Sequence, residues 1–155
     1  MTQRISIING LPGPFDALNK LAGEVAKAAA DAGVDGKLLE LVKIRASQLN
    51  GCAFCLDMHT SDALVKEGED PRRLHVLAAW RETDLYTEQE RAALALTEVL
   101  TRLADTRDVP DDVYDDATKA FTEAQYQAVV WMVMVINSYN RVVLPSHPKL
   151  PKRAA

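Results

Sequence analysis

Aromatic residues, at 6%, and cysteines, of which there are two, are scarce in this chain of 155 residues. Two cysteines cannot build the disulfide framework of a small secreted domain, and a chain of this length can bury a core without one. A net charge of -4 argues against a strongly basic surface for nucleic acid. No apolar run is long enough for a bilayer, and the first residues do not resemble a signal peptide. We therefore expect a cytoplasmic protein without a membrane span.

Strand signals are also nearly absent, with one β-like run at residues 4–9, whereas helix boundaries are clearly marked. A segment of small residues over 16–32 predicts a helix that ends at Gly33. Further helix starts are indicated by N-cap residues or capping boxes at Asp35, Asp70, Thr87 and Thr122. The sequence predicts an all-α protein, a helical bundle with a single domain over 1–155 and a core of about 15–143.

The helix after Thr122 contains nine consecutive apolar residues, AVVWMVMVI, at positions 128–136. This run is too short to span a bilayer and too uniformly apolar for a surface helix. It predicts either the central core helix or a contact between subunits, and we expect a homo-oligomer. The proline-rich tail that starts at Leu144 is expected to be irregular.

Both cysteines and one histidine lie within the sequence NGCAFCLDMHTSDALV, residues 50–65. In a helix that starts at the cysteines, Cys52, Cys55 and His59 lie on one side. The positive end of the helix dipole favours thiolate, which is the reactive form of cysteine. His59 follows Cys55 by one turn and can accept its proton, so Cys55 is predicted to be the better activated thiol.

Glu40 is a further candidate, an acid within the apolar run of the preceding helix. An unpaired carboxylate would be costly to bury there. It could orient His59 directly or through water, and it could also form a buried ion pair with Lys43 or Arg45.

Two other interpretations of the cysteine pair stay open on the residues alone. Free cysteine is among the most frequently buried residues, so the pair could belong to the core by chance. Zinc is the second alternative, with Cys52, Cys55 and His59 as ligands and His75 as the nearest fourth. The spacing C-x2-C-x3-H, however, lacks the long spacer of zinc fingers. A redox enzyme therefore competes with a non-catalytic or zinc-binding helical interaction protein.

The pattern E-x11-C-x2-C-x3-H, formed by Glu40, Cys52, Cys55 and His59, resembles the redox motif of the alkyl hydroperoxidase D (AhpD) proteins. These proteins lie within the carboxymuconolactone decarboxylase-like superfamily. The segments 52–101 and 129–142 are also similar to those of one-domain members. The resemblance implies an all-helical thiol peroxidase that assembles as an oligomer, often a trimer or hexamer. We separately expect no metal, and no cofactor because the sequence has no flavin, haem or nucleotide motif. A disulfide reductase without a peroxidase role is the alternative within the same chemistry.

The resemblance also implies a role for each motif residue. The residue matching Cys55 attacks a small peroxide and becomes a sulfenic acid, and the one matching Cys52 resolves it as a disulfide. The matches of His59 and Glu40 form a proton relay, and an unidentified dithiol or protein reductant restores the thiols. One position departs from the family, because many members carry a histidine just before the second cysteine and this chain has Phe54.

Overall fold

The computed structural model describes residues 4–152, and it confirms the all-α prediction. Within that range there is no strand. The α-helices are α1 (Ile7–Gly10), α2 (Pro12–Asp31), α3 (Gly36–Asn50), α4 (Ala53–Val65), α5 (Pro71–Val76), α6 (Glu88–Thr101), α7 (Leu103–Thr106), α8 (Asp111–Ala120) and α9 (Glu123–Ser146), and a 3₁₀ helix spans Leu77–Glu82.

The helix starts that the sequence indicates are confirmed by their capping hydrogen bonds. The carboxylate of Asp35 accepts from the backbone N–H of Lys37 at 2.8 Å, and Asp70 caps α5 in the same way. Complete capping boxes begin α6 at Thr87 and α9 at Thr122. Each cap satisfies a backbone donor that has no partner inside its helix, so the boundaries are fixed locally.

The β-like run at 4–9 leads into the short helix α1, which agrees with the all-α prediction. Two predicted boundaries near the ends of the chain were wrong. α2 begins at Pro12 rather than at about Asp16, because proline fits the first turn of a helix. α9 continues through Pro145 to Ser146 where an irregular tail was expected. Ser146 supports this last turn, since its hydroxyl donates to Val142 O at 2.8 Å and accepts from Ile7 N at 3.0 Å.

Helix α3 lies at the centre of the bundle, in contact with α4, α6 and α9. One face packs against α2, α6 and α9 through Leu38, Leu39 and Val42. The other face packs against α4 to α6 through Leu41 and Ile44. The side chains on both faces are excluded from water, so α3 is a rigid support for the polar residues it carries.

The apolar run of α9 is a core element on one side and a half-exposed surface on the other. Val129, Met132 and Val133 are buried, whereas Trp131 and Met134 are 46% and 44% exposed. By length and composition alone α9 could cross a membrane. The core helix of a bundle has the same properties, and α9 packs against α2, α3 and α6.

Candidate active site

The turn between α3 and α4 positions the two cysteines. Gly51 adopts the left-handed conformation, with φ of 69°, which a residue with a side chain would rarely take. Cys52 is therefore the N-cap of α4, and its N–H donates to Ser47 O at 3.0 Å. Cys55 is the third residue of α4. The predicted placement of the cysteines at a helix start is confirmed.

Asparagine side chains anchor this turn to α9. The amide of Asn50 donates to Oδ1 of Asn137 at 3.0 Å and to Oδ1 of Asn140 at 2.8 Å. The amide of Asn140 in turn donates to the hydroxyl of Ser47 at 3.1 Å. Asn140 and Ser47 are fully buried, and buried amides are costly unless they are hydrogen-bonded. The network therefore fixes the cysteine turn relative to the core.

Cys52 and Cys55 are joined by a disulfide, with their Cα atoms 5.4 Å apart. Both residues are excluded from water, at 0% and 1% exposure, and they pack with Val143 of α9. In this oxidised state neither sulfur is a thiolate, so neither can act as a metal ligand.

Behind the cysteines, the buried carboxylate of Glu40 joins two neighbours. One oxygen, Oε2, lies 2.9 Å from Nδ1 of His59, and the other, Oε1, accepts a hydrogen bond from Nζ of Lys43. Glu40 is 7% exposed and His59 8%. Because Nδ1 is held by the carboxylate, Nε2 is the ring nitrogen left to exchange a proton.

The pKa of Glu40 lies below its ordinary value. Burial alone would raise it, but the hydrogen bond to His59 and the charge and hydrogen bond of Lys43 together outweigh burial. Glu40 is therefore an ionised acid in a largely dry site, and its charge is available to orient His59.

Of the two cations that the sequence offered to Glu40, the structure selects Lys43. Arg45 instead pairs with Glu98, with Nη2 and Oε1 2.7 Å apart. Glu98 also accepts from Nε1 of Trp80 at 2.9 Å and binds Arg81, so it belongs to a separate structural cluster. The ion pair with Lys43 and the contact with His59 coexist on one carboxylate.

A partly open cavity of about 450 Å³ adjoins Cys55 and His59. Cys52 and Glu40 do not line it. Its walls come from α1 to α4 and α9, and they are mainly apolar, with Phe15, Phe54, Met58, Met132 and Ile136 among them. A molecule that enters the cavity therefore meets Cys55 before Cys52.

Metal-capable side chains also occur at this site. Glu40, His59 and Asp62 each place a ligand atom within 4.8 Å of the others, the one such group among the residues described. Lys43 pairs with Glu40, and Lys66 pairs with Asp62 at 2.9 Å. The two acids are thus already balanced by lysines, as in an ion-pair network. His75, proposed as a fourth zinc ligand, is exposed on α5 and is not in this group.

The structure thus brings together all four predicted residues, Glu40, Cys52, Cys55 and His59. It adds residues that the motif did not include: the cavity is also lined by Lys43 and by Tyr139, whose hydroxyl donates to Asn19 Oδ1 at 2.7 Å. The spacing of Lys43 and Glu40 suggested the first of these. No local pattern indicates the pairing of Tyr139 with Asn19, since 120 residues separate them.

The fold and this site define the class of protein. Residues 12–99, more than half of the chain, match the model of the carboxymuconolactone decarboxylase family. The chain belongs to this family, and the resemblance first carried by Glu40, Cys52, Cys55 and His59 is confirmed at that level.

Two relatives cover nearly the whole chain. The uncharacterized protein YdfG of Bacillus subtilis (strain 168) is 41% identical over 142 residues, 92% of each chain. A crystal structure from Agrobacterium tumefaciens, of a protein of unknown function assigned provisionally to antioxidant defence as AhpD, has a TM-score of 0.87 and 30% identity. The match covers 98% of this chain and all of that one. The architecture is therefore AhpD-like.

Proposed function

We propose that this protein is a thiol peroxidase in which Cys55 reduces a peroxide and Cys52 resolves the product. The observation that carries the proposal is that Cys55 and His59 both line one cavity, whereas Cys52 does not line it and lies within bonding distance of Cys55. The family and the provisional antioxidant assignment of the A. tumefaciens relative support it.

The reaction begins with both cysteines reduced. The thiolate of Cys55 attacks one peroxide oxygen, the O–O bond breaks, and the other oxygen leaves as an alcohol or water after taking a proton. Cys55 is now a sulfenic acid. The thiolate of Cys52 attacks its sulfur, hydroxide leaves and is protonated to water, and the Cys52–Cys55 disulfide forms. An external dithiol then returns two electrons and two protons.

His59 and Glu40 supply the proton transfers of this cycle. Nε2 of His59 takes the proton of the Cys55 thiol, and it returns a proton to the leaving oxygen. The ionised carboxylate of Glu40 holds Nδ1 and stabilises the charged ring while the proton resides there. The start of α4 adds positive potential at the thiolate.

The cavity bears on the size of the substrate. At about 450 Å³ it is much larger than hydrogen peroxide needs, and its walls are mainly apolar. Hydrogen peroxide can enter, but burial of apolar surface favours a small organic hydroperoxide. The physiological reductant is a dithiol or a protein, and the reducing cytosol, where such thiols are abundant, is the compartment that the cycle fits.

A homo-oligomer is part of the proposal. Trp131 and Met134 leave a half-exposed apolar surface on α9, and burial of this surface against another copy would remove it from water.

Peroxide consumption by the reduced protein, with a dithiol in excess, tests the function. The parent protein should consume cumene hydroperoxide and form the Cys52–Cys55 disulfide, and Cys55→Ser should consume none. Cys52→Ser is the matched control, because after removal of the dithiol it should react once and then accumulate oxidised Cys55. If Cys55→Ser consumed peroxide at the parent rate, the proposal would be wrong.

The same measurement separates a disulfide reductase from a peroxidase. A disulfide reductase uses the same cysteines to reduce a substrate disulfide, and it requires no attack on an O–O bond. It would reduce a small aromatic disulfide but would form no Cys52–Cys55 disulfide on addition of peroxide.

A further inference from the structure

Lys43 is the one lysine, arginine or carboxylate side chain among the described residues that line the cavity. It lies on α3 one turn after Glu40, and its side chain is 19% exposed. Its Nζ donates to Oε1 of Glu40, so the lysine and His59 share one carboxylate from opposite oxygens. Lys43 therefore contacts the pair formed by Glu40 and His59, and it also lines the cavity beside Cys55.

The two contacts of the Glu40 carboxylate determine whether it stays ionised when His59 takes up a proton. Without Lys43, burial would favour the protonated form of Glu40. A neutral Glu40 stabilises the charged ring of His59 less, and this disfavours transfer of the Cys55 proton to the ring. With Lys43 in place the carboxylate stays charged and is balanced, and the pKa of Glu40 lies below its ordinary value despite burial.

Other charged groups around His59 do not replace this role. Asp62 on α4 places a carboxylate oxygen within 4.8 Å of Glu40 and His59, but it is paired with Lys66, whose side chain is 66% exposed and therefore well screened by water. Tyr139 from α9 lines the cavity and donates to Asn19, and burial raises its pKa, so it stays neutral at the pH values of interest. Glu40 and Lys43 from α3 and Cys55 on α4 are further titratable groups of this site within residues 4–152. Lys43 is therefore the cation whose removal would leave the relay unbalanced.

We propose that Lys43 is a positioning residue of this site, which keeps Glu40 ionised and directed at His59 and favours the thiolate of Cys55. This role serves the proposed thiol peroxidase function. The experiment below measures thiol activation directly and does not require peroxidase activity. The step concerned is the transfer of the Cys55 thiol proton to Nε2 of His59, which leaves a thiolate and an imidazolium. Phe54, which stands where many family members have a histidine, cannot contribute to this transfer.

The test is the pH dependence of Cys55 alkylation in the reduced full-length protein. Iodoacetamide reacts with thiolate, and peptide mass mapping reports Cys55 separately from Cys52. The alkylation rate falls as the thiolate is protonated at low pH, and we call this part of the profile the acidic limb. In Lys43→Met this limb should shift to higher pH by about one unit, so that the rate at a pH below the limb should fall about tenfold. Lys43→Arg keeps the charge and should restore the parent limb.

Two further variants make the result specific. Lys43→Gln keeps a hydrogen-bond donor without the charge, and it carries the test if Lys43→Met does not fold. Lys27→Met is the matched control, because Lys27 pairs with Asp31 on the exposed face of α2 and its loss changes the net charge equally. Its alkylation profile should equal that of the parent.

An unshifted limb in the folded Lys43→Met or Lys43→Gln protein would overturn the proposal. So would equal slowing at every pH in Lys43→Met and Lys43→Arg, since that pattern indicates a packing defect. Peroxide consumption is measured in parallel on the same samples. If the limb shifts but the parent consumes no peroxide, the thiol peroxidase function is wrong and the role of Lys43 in thiol activation is supported.

Discussion

Replacement of Glu40 by glutamine removes one charge from the candidate site and preserves its shape. In the parent protein the carboxylate binds His59 through Oε2 and Lys43 through Oε1. Glutamine offers one acceptor and one donor group, so it cannot accept hydrogen bonds from both neighbours through oxygen. The variant therefore loses at least one of the two contacts, and Lys43 loses its counterion.

The contacts set the size of the effect on stability. A hydrogen bond to a charged group contributes about 1.5–3 kcal/mol, and two are altered. Relief of the cost of burying a charge offsets part of this loss, so we expect Glu40→Gln to lower the free energy of unfolding by about 2 kcal/mol near neutral pH. Urea denaturation followed by circular dichroism measures it.

The pH dependence has a definite sign. The folded-state pKa of Glu40 lies below its ordinary value of 4.5, so the ionised pair stabilises the folded protein fully above that value. This stability is lost as pH falls through the folded-state pKa. The difference between parent and variant should therefore be constant near neutral pH and should shrink when the solution is acidified below about 4.5.

The same variant should slow the chemistry. Positioned acid–base groups contribute about 10²–10⁴-fold, and we expect a loss of about 10²-fold in the rate of Cys55 oxidation because His59 remains. Rapid mixing of reduced protein with peroxide and quantification of the disulfide measure this rate.

Glu98→Gln is the matched control for this variant. Glu98 is also a partly buried carboxylate whose pKa lies below its ordinary value. Burial alone would raise the pKa of Glu98, but hydrogen bonds from Trp80, Arg81 and Arg45 outweigh the effect of burial. It does not line the cavity. Its loss should cost comparable stability and leave Cys55 oxidation unchanged. A folded Glu40→Gln protein that oxidises Cys55 as fast as the parent would refute the reasoning.

Other parts of the molecule give further predictions. Ala26→Trp, on the cavity wall formed by α2, should slow consumption of cumene hydroperoxide about tenfold relative to hydrogen peroxide, and equal slowing of both would contradict a size-selective cavity. Asn140→Ala should lower the free energy of unfolding by about 2 kcal/mol in urea, because one buried and one partly buried hydrogen bond are lost. Light scattering of the parent at micromolar concentration should show an oligomer and Trp131→Glu a smaller species; a monomeric parent would count against assembly.

Much of the fold was predictable because its signals are local. The capping boxes at Thr87 and Thr122 and the turn at Gly51 act over a few residues, and the structure uses them where the sequence indicates. The end of α9 was not predictable in this way. Its last turn survives Pro145 because Ser146 bonds to Val142 and to Ile7, and the contact with Ile7 spans 139 residues.

In the candidate site too, the contacts within a short stretch of sequence were predictable and the long-range ones were not. Cys55 and His59 lie on α4 and Cys52 is its N-cap, so their spacing alone placed them together. The contact of Glu40 with His59 joins two helices, but the short turn at Gly51 limits how those helices can pack. The cavity depends on α2 and α9 meeting α4, and the sequence has no short-range pattern that specifies their distance. Its size and apolar character could therefore be learned only from the structure.

The central claim is that Cys55 is the sulfur that attacks the peroxide. Reduced Cys52→Ser protein, exposed briefly to hydrogen peroxide in the presence of dimedone and then mapped by peptide mass spectrometry, tests it most directly. The account predicts a dimedone adduct on Cys55 in this variant and none on Cys52 in Cys55→Ser. An adduct on Cys52 in Cys55→Ser, with none on Cys55 in Cys52→Ser, would contradict it.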